Sequence, residues 1–466
     1  MTAAPGALPD GFAVRLHDDV ETGSFLVSGH RVVRTAPDVQ ELVTGRTVVV
    51  RSPRSSALAG RLLDLDLADP VLDDTAGPSL DDLTIVVPVR DYAHGVDRLL
   101  RALAGSVRCV VVDDASHDPR RLAGVVAHHG GQLVRLDANV GPAAARDRGL
   151  RDVTTPFVGF VDADVDVSVA VLERLLDHFA DPGLAAVAPR IASQTSVSWL
   201  GRYEHAFGSL DLGLRPATVR RWSPVAYVPT ACVLARVDRL GSGFDTSLRS
   251  GEDVDLVWRL DEEGHRIRYA AEVEAVHDAR PSLRPWLARK AFYGTSAAPL
   301  ARKHGSRMAP GVMSPVAAAA VTGLLLQRRW SWALSVACAA VTANSTWQGT
   351  PADLPRRQRV AVLRTTLHAM VGQTTGLLLR HWSPATLVLA LCSRRMRRAA
   401  VVVGVVDGLV AHRTSGVDLD PLRFVATRRA EHLAYGLGVW GGALRERSVA
   451  CLVPHWLPIR VRRPRG

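Results

Sequence analysis

"FVGFVDADVDVS", residues 157–168, decides how the chain is read. Its first five residues are small or apolar and suit a buried strand. Three aspartates, Asp162, Asp164 and Asp166, then follow at alternate positions. A core strand that ends in carboxylates either surfaces into a polar loop or delivers oxygen ligands to a cation, and both readings stand at this point. Side chains alternate along a strand, so Asp162 and Asp164 are expected on one side.

Similar runs surround this stretch. "LTIVVPV" (83–89), "RCVVVDDAS" (108–116) and "QLVRLDA" (132–138) are apolar, with helical patterns between them. Buried strands alternating with helices imply a parallel sheet covered on both faces. Ligands of such sheets sit beyond the carboxyl ends of the strands. That singles out Asp113 and Asp114, the segment from Asn139 to Arg146, and Asp162 with Asp164. The first pair either accepts hydrogen bonds from a nucleoside or forms a polar loop in which Ser116 caps the next helix. "NVGPAAARDRGL" (139–150) offers Pro142 for a first helical turn and a helix N-terminus suited to an anion. "SGEDVDLVWRL" (250–260) opens a helix. There Ser250 and Asp253 resemble a capping box, and Asp253 is also a candidate general base. His277, ending another apolar run, is a structural histidine or a metal ligand. A GxGxxG after the first strand and a GxxxxGK[ST] are both missing, which excludes a dinucleotide-binding Rossmann domain and a P-loop NTPase.

In this order, "TIVVPVRD", "VVDDAS", "NVGPAAARDRGL", "FVDADV" and "GEDVDLVWRL" resemble the motifs of the family 2 glycosyltransferases over residues 83–280. The resemblance implies the α/β GT-A fold. It places Pro88, Asp113, Asp114, Asn139, Arg146 and Asp162 at a nucleotide sugar. It places Asp164 and His277 on Mg²⁺ or Mn²⁺, and makes Asp253, with Glu252 beside it, the base of an inverting transfer. "YVPTACVLARVDRLGSGFD" (227–245), "LRSGEDVDLVWRLDEEGHRIRY" (248–269) and "YGTSAAPLARKH" (293–304) further resemble the glycosyltransferases of the mycofactocin system. That implies transfer of glucose from UDP-glucose, through β-1,4 links, to the peptide-derived redox cofactor mycofactocin or its precursor. Two alternatives stand beside it. One is addition of rhamnose or galactose to a cell-envelope glycan. The other is a non-catalytic nucleotide-sugar-binding membrane scaffold, against which the intact DAD and GED sequences argue. "QRRW" (327–330) is one residue short of the QxxRW of processive synthases.

The flanks differ from this centre. Residues 1–69 read as a small winged-helix-like domain, similar to peptide-recognition modules, and 70–82 as a linker. Residues 83–300 form the catalytic domain and 301–466 a helical region. That last region carries 24 Lys and Arg against 6 Asp and Glu, whereas the first 300 residues carry 33 against 40. A basic surface attracts phosphate. Apolar blocks at 315–326, 332–343, 382–392 and 399–411 fall short of the roughly 20 residues that cross a bilayer. They read either as a bundle packed on the catalytic domain or as interfacial helices. The expected partner is a membrane surface and not nucleic acid, at the cytoplasmic face of the cell membrane. Five cysteines without CxxC spacing suit a reducing compartment. An N-terminus lacking basic and apolar regions is not read as a signal peptide.

Overall fold

The computed structural model describes residues 6–29, 31–72, 77–194, 197–278 and 282–457. The chain divides into two compact units, Met1–Val20 with Ala36–Arg280, and Glu21–Thr35 with Pro281–Gly466.

Among the described residues of the first unit, nine strands form one mixed sheet: β1 Leu83–Val89, β2 Arg108–Asp113, β3 Gln132–Arg135, β4 Phe157–Val161, β5 Val165–Asp166, β6 Leu184–Ser193, β7 Ala217–Thr218, β8 Cys232–Arg236 and β9 Arg266–His277. Their order is β5-β9-β6-β8-β4-β1-β2-β3, with β7 beside β9. β1 pairs in parallel with β2 and β4, and β6 with β9. The four strands from which a parallel sheet is expected, β1 to β4, are parallel. The later strands make the sheet mixed: β8 runs antiparallel to both β4 and β6, and β5 and β7 run antiparallel to β9. A continuous apolar run such as "CVLAR" satisfies two buried faces in either direction, so its burial pattern carries no sign of orientation.

The core explains why these segments are strands. Leu83, Ile85, Val87 and Val89 of β1 pack with Val111, Phe157 and Val161 and with the helix α1, Ala93–Leu103. Two glycines let helices approach the sheet closely. A Cβ on Gly95 of α1 would lie 2.2 Å from the carbonyl oxygen of Ala163. One on Gly149, in the helix α2 (Pro142–Leu150), would lie 2.4 Å from Val86. The first helix is thus seated on the segment that holds the aspartates, and the second on β1 and β2.

Also in this unit, Ala13–Leu16, Thr47–Val49 and Ala68–Val71 form a three-stranded antiparallel sheet beside the helix Pro53–Asp64. Residues 73–76 of the expected linker lie outside the described residues. The strands Phe25–Ser28 and Arg31–Arg34, grouped with these from the sequence, instead belong to the second unit. There Phe25 and Val27 pack on Leu354 and Val362, and Arg34 pairs with Asp353 at 2.7 Å.

The rest of the second unit's described residues are mainly helical, beside a short parallel pair of Val312–Met313 with His455–Trp456. The apolar blocks fall in the helices Pro315–Leu326, Arg329–Gly349, Ser383–Cys392 and Arg394–Ser415, with Trp382 as the N-cap of the third. No helix among the described residues is long and apolar enough to cross a membrane. Leu283–Thr295 packs on Pro421–Arg445 at close range. A Cβ on Gly438 would lie 1.9 Å from the Ala291 carbonyl oxygen, and one on Gly294 2.2 Å from that of Tyr435.

Candidate active site

The aspartates lie where β4 ends. The strand stops at Val161, and Asp162–Asp164 form a turn closed by the Val165 N–H donating to the Asp162 carbonyl at 3.0 Å. The expected strand alternation therefore does not govern them. A turn sends the two carboxylates to different partners, and this is the useful result.

Asp162 goes to Arg146. The Arg146 guanidinium is buried in α2, donating through Nη2 to Asp162 Oδ1 at 2.6 Å and through Nη1 to Glu252 Oε1 at 2.8 Å. It lies 5.8 Å from the ring centroid of buried Phe244. Its Nε has no hydrogen-bond partner among the described residues. Burial disfavours the charge, but Asp162 and Glu252 outweigh it and hold Arg146 firmly protonated. Burial also raises Asp162 above the ordinary carboxylate range, against the pull of Arg146. Arg146 is thus a bridge between the strand end and the helix that carries Glu252, not an exposed ligand.

That helix, α3, spans Glu252–Glu262. The capping-box expectation for Ser250 is corrected: the N-cap is Gly251, in the left-handed region at φ 83°, with no side-chain cap. Glycine accepts that conformation without the Cβ clash other residues meet. Asp253 occupies the first turn, its Oδ1 accepting the Val254 N–H at 2.8 Å. Burial, followed by the negative charge of Glu252, pushes the Asp253 carboxyl up to about 7. A carboxylate near neutrality suits proton abstraction at physiological pH.

Asp164 goes to His277. β5 pairs with β9 so that Val165 faces His277, bringing His277 Nε2 to 3.2 Å from Asp164 Oδ2. An oxygen and an imidazole nitrogen together suit Mn²⁺ and accept Mg²⁺. Among the described residues no group of three or more His, Cys, Asp or Glu is placed to hold an ion. The pair supplies two ligands, so an ion held there would take the rest from a phosphate-bearing substrate and water.

Asp113 and Asp114 are placed differently from an open nucleoside contact. Asp113 accepts from the Ser116 N–H at 2.8 Å and from Arg135 at 2.9 Å. Asp114 accepts from the N–H groups of Val140 and Gly141, at 2.7 and 2.9 Å. Asp114 thus braces the loop that leads into α2, and Pro142 takes that helix's first position as expected. Asn139 is exposed on that loop. Pro88 lies on β1 opposite Val112, one residue before the strand's end. Ser116 does not cap the following helix, whose N-cap is Asp118; its Oγ instead accepts the Asp91 N–H at 2.9 Å.

Sequence reasoning missed a neighbouring cluster. Asp278, next to His277, accepts from Tyr92 at 2.5 Å and from Arg98 at 3.1 Å, and Arg98 also holds Asp166 at 2.5 Å. The Asp278 N–H donates to the Asp164 carbonyl at 3.1 Å, tying the cluster to the metal-suited pair. The available signal was the "HD" that closes β9.

With this geometry in view, three likenesses bear on the chain. Residues 84–238 match the model of glycosyl transferase family 2. The pre-mycofactocin glycosyltransferase of Mycobacterium tuberculosis is 41% identical over 471 residues, covering 97% of this chain and 99% of that protein. The succinoglycan biosynthesis protein ExoU of Rhizobium meliloti is 28% identical over 208 residues, covering 40% of this chain and 59% of that protein. Among solved structures, a mannosyltransferase from Pyrobaculum calidifontis in complex with GDP-mannose and Mn²⁺ is 18% identical, covering 65% of this chain and 90% of that one, with a TM-score of 0.37. A score that low carries no argument here.

Proposed function

The chain belongs to the pre-mycofactocin glycosyltransferases, enzymes of family 2, and from that premise we propose that it transfers glucose from UDP-glucose to mycofactocin or its precursor. The proposed transfer is metal-dependent, inverts the anomeric centre and builds β-1,4 links. The observation that carries the reading is the path Asp162–Arg146–Glu252, which fixes Asp253 beside the strand ends where ligands of such sheets bind.

In the proposed reaction, an acceptor hydroxyl oxygen attacks the anomeric carbon from the face opposite the nucleotide. The bond from that carbon to the diphosphate breaks, and UDP leaves with the electron pair. Asp253 takes the hydroxyl proton, and its raised affinity for a proton suits that task. Asp164 and His277 would hold Mg²⁺ or Mn²⁺, which when bound neutralises charge on the diphosphate. Asp162 is aligned for the ribose or the same metal. Asp114 acts through the loop it braces, which with Asn139 and Pro88 flanks the nucleoside, and Asp113 acts through Ser116 and Arg135, which it holds. The N-terminal antiparallel sheet is a candidate holder of the peptide-derived acceptor.

The test is incubation of purified protein with UDP-glucose and a mycofactocin precursor, followed by mass spectrometry. Successive hexose increments that require added metal and vanish in Asp253→Asn support the reading. Increments from another nucleotide sugar, with UDP-glucose inert, keep the enzyme and reject the donor.

A further inference from the structure

The helix Arg394–Ser415 in the second unit is built inside out. An amphipathic helix of a water-soluble protein turns its apolar stripe inward and its charges outward. Here Val401, Val402, Val405, Val406, Leu409 and Val410 repeat at helical spacing, and all six are exposed, from 39% for Leu409 to 60% for Val402. The opposite face carries Gly404, Asp407 and Gly408. Gly404 and Gly408 are buried, and Asp407 accepts from Arg428 at 3.0 Å and from Arg429. A Cβ on Gly408 would lie 2.6 Å from Val425, so that face is the packed one. On this helix the polar contacts face inward and the six aliphatic residues face outward.

Charge sharpens the reading. Arg394, Arg395, Arg397 and Arg398 open this helix, all exposed. Cations in a first turn oppose the helix dipole, an arrangement that phosphate groups at the same level would relieve. Gln327 donates to the Arg395 carbonyl at 2.8 Å, which sets the exposed Trp330 and its neighbours Arg328 and Arg329 near the same end. An aliphatic stripe bordered by tryptophan and a band of arginines matches acyl chains bordered by headgroups. Nucleic acid offers the phosphates without the apolar layer. A second copy of this chain would bring the same arginines against each other.

We propose that this face is a lipid-docking surface that lies in the plane of an anionic membrane leaflet, its valines among the acyl chains and its arginine band on the phosphates. The helix rests on the bilayer and does not cross it, consistent with its apolar stretch of only 399–411. The chain would then work at the cytoplasmic face of the cell membrane, the leaflet whose anionic lipids face the cytosolic nucleotide sugars. The inference stands apart from the identity of sugar and acceptor.

The test uses the full-length protein with vesicles of phosphatidylcholine alone and of phosphatidylcholine–phosphatidylglycerol at three to one, read by flotation. The expected result is partition into the anionic vesicles at least about tenfold above the neutral ones, reduced by salt. Val402→Asp/Val406→Asp should abolish it, with the melting temperature and donor turnover unchanged. The milder Val401→Ser/Val405→Ser should weaken it and guards against misfolding in the first variant. Replacement of the four arginines by glutamine should remove the preference for anionic lipid. Folded wild-type protein that stays out of anionic vesicles overturns the proposal. So does vesicle binding indifferent to both valine variants, or a dimer that they dissociate without any effect on flotation.

Discussion

Arg146→Gln removes the buried cation between Asp162 and Glu252 while keeping most of the side-chain volume. Each guanidinium nitrogen now bonded to a carboxylate, at 2.6 and 2.8 Å, is lost, and Arg146 is only 3% exposed, so water cannot readily take its place. Breaking a buried ion pair by deleting one partner costs about 3–5 kcal/mol, because the remaining charge is left uncompensated. Two carboxylates are left here, so the upper part of that range is expected near neutral pH. The chain has two units, so a single melting curve does not isolate the effect. Hydrogen exchange does, read on peptides covering Phe157–Val161 and Glu252–Glu262. At about 1.4 kcal/mol per decade, opening of these segments should rise by about three orders of magnitude or slightly more near pH 7. The loss should shrink in acid, as Asp162, whose affinity for a proton burial already raises, takes one up. Loss of the cation also strips Asp253 of a neighbour that lowers its proton affinity, so the acidic limb of turnover should move to higher pH. Arg146→Lys should rescue only partly, since a single ammonium cannot fork to both oxygens. Exchange in Arg146→Gln within threefold of wild type at pH 7, or a loss that ignores pH, would refute the reasoning.

Four further outcomes follow from the geometry. Asp253→Asn should abolish turnover, whereas wild-type kcat/KM should rise with pH and level off near 7. The same change should also raise stability, since a carboxyl whose folded pKa exceeds its unfolded one costs nothing below about pH 4 and its full penalty above about 7; hydrogen exchange on peptides covering Glu252–Glu262, compared at those two pH values, checks this. Asp164→Ala and His277→Ala should each weaken Mn²⁺ binding in the presence of UDP by about tenfold or more, measured calorimetrically, while Asp166→Ala, held by Arg98, should not. Gly438→Leu should loosen the pairing of Leu283–Thr295 with Pro421–Arg445 by more than about 1–3 kcal/mol, read by hydrogen exchange, whereas Gly441→Ala, with open space around it, should be neutral or slightly stabilising.

What was legible in the sequence was local. "LTIVVPV" and "FVGFV" declare buried strands because a strand covered on both faces must be apolar throughout, and both form. The polar residues just past those runs marked the candidate site, because polar groups at the end of a buried strand need a partner. Less visible was whatever depends on who sits next to whom. The orientation of β8 is set by its neighbours β4 and β6, segments distant in sequence. Phe25 and Val27 are apolar alternating residues of an ordinary hairpin, and nothing local tells that their partners are Leu354 and Val362. Arg146 was legible as a site residue, but its role as a buried bridge required knowing that Glu252, 106 residues on, lies beside it. The inside-out helix was legible only as a short apolar block. Which of its faces is exposed depends on Val425, Arg428 and Arg429 of another helix.

The most direct measurement is the anomeric configuration of the first product formed from UDP-glucose, followed by proton NMR in wild type and in Asp253→Asn. A β-linked glucoside from the α-linked donor, absent in the mutant, is the predicted result: one displacement, with Asp253 receiving the proton. An α-linked product, or full turnover in Asp253→Asn, would contradict the account at its centre.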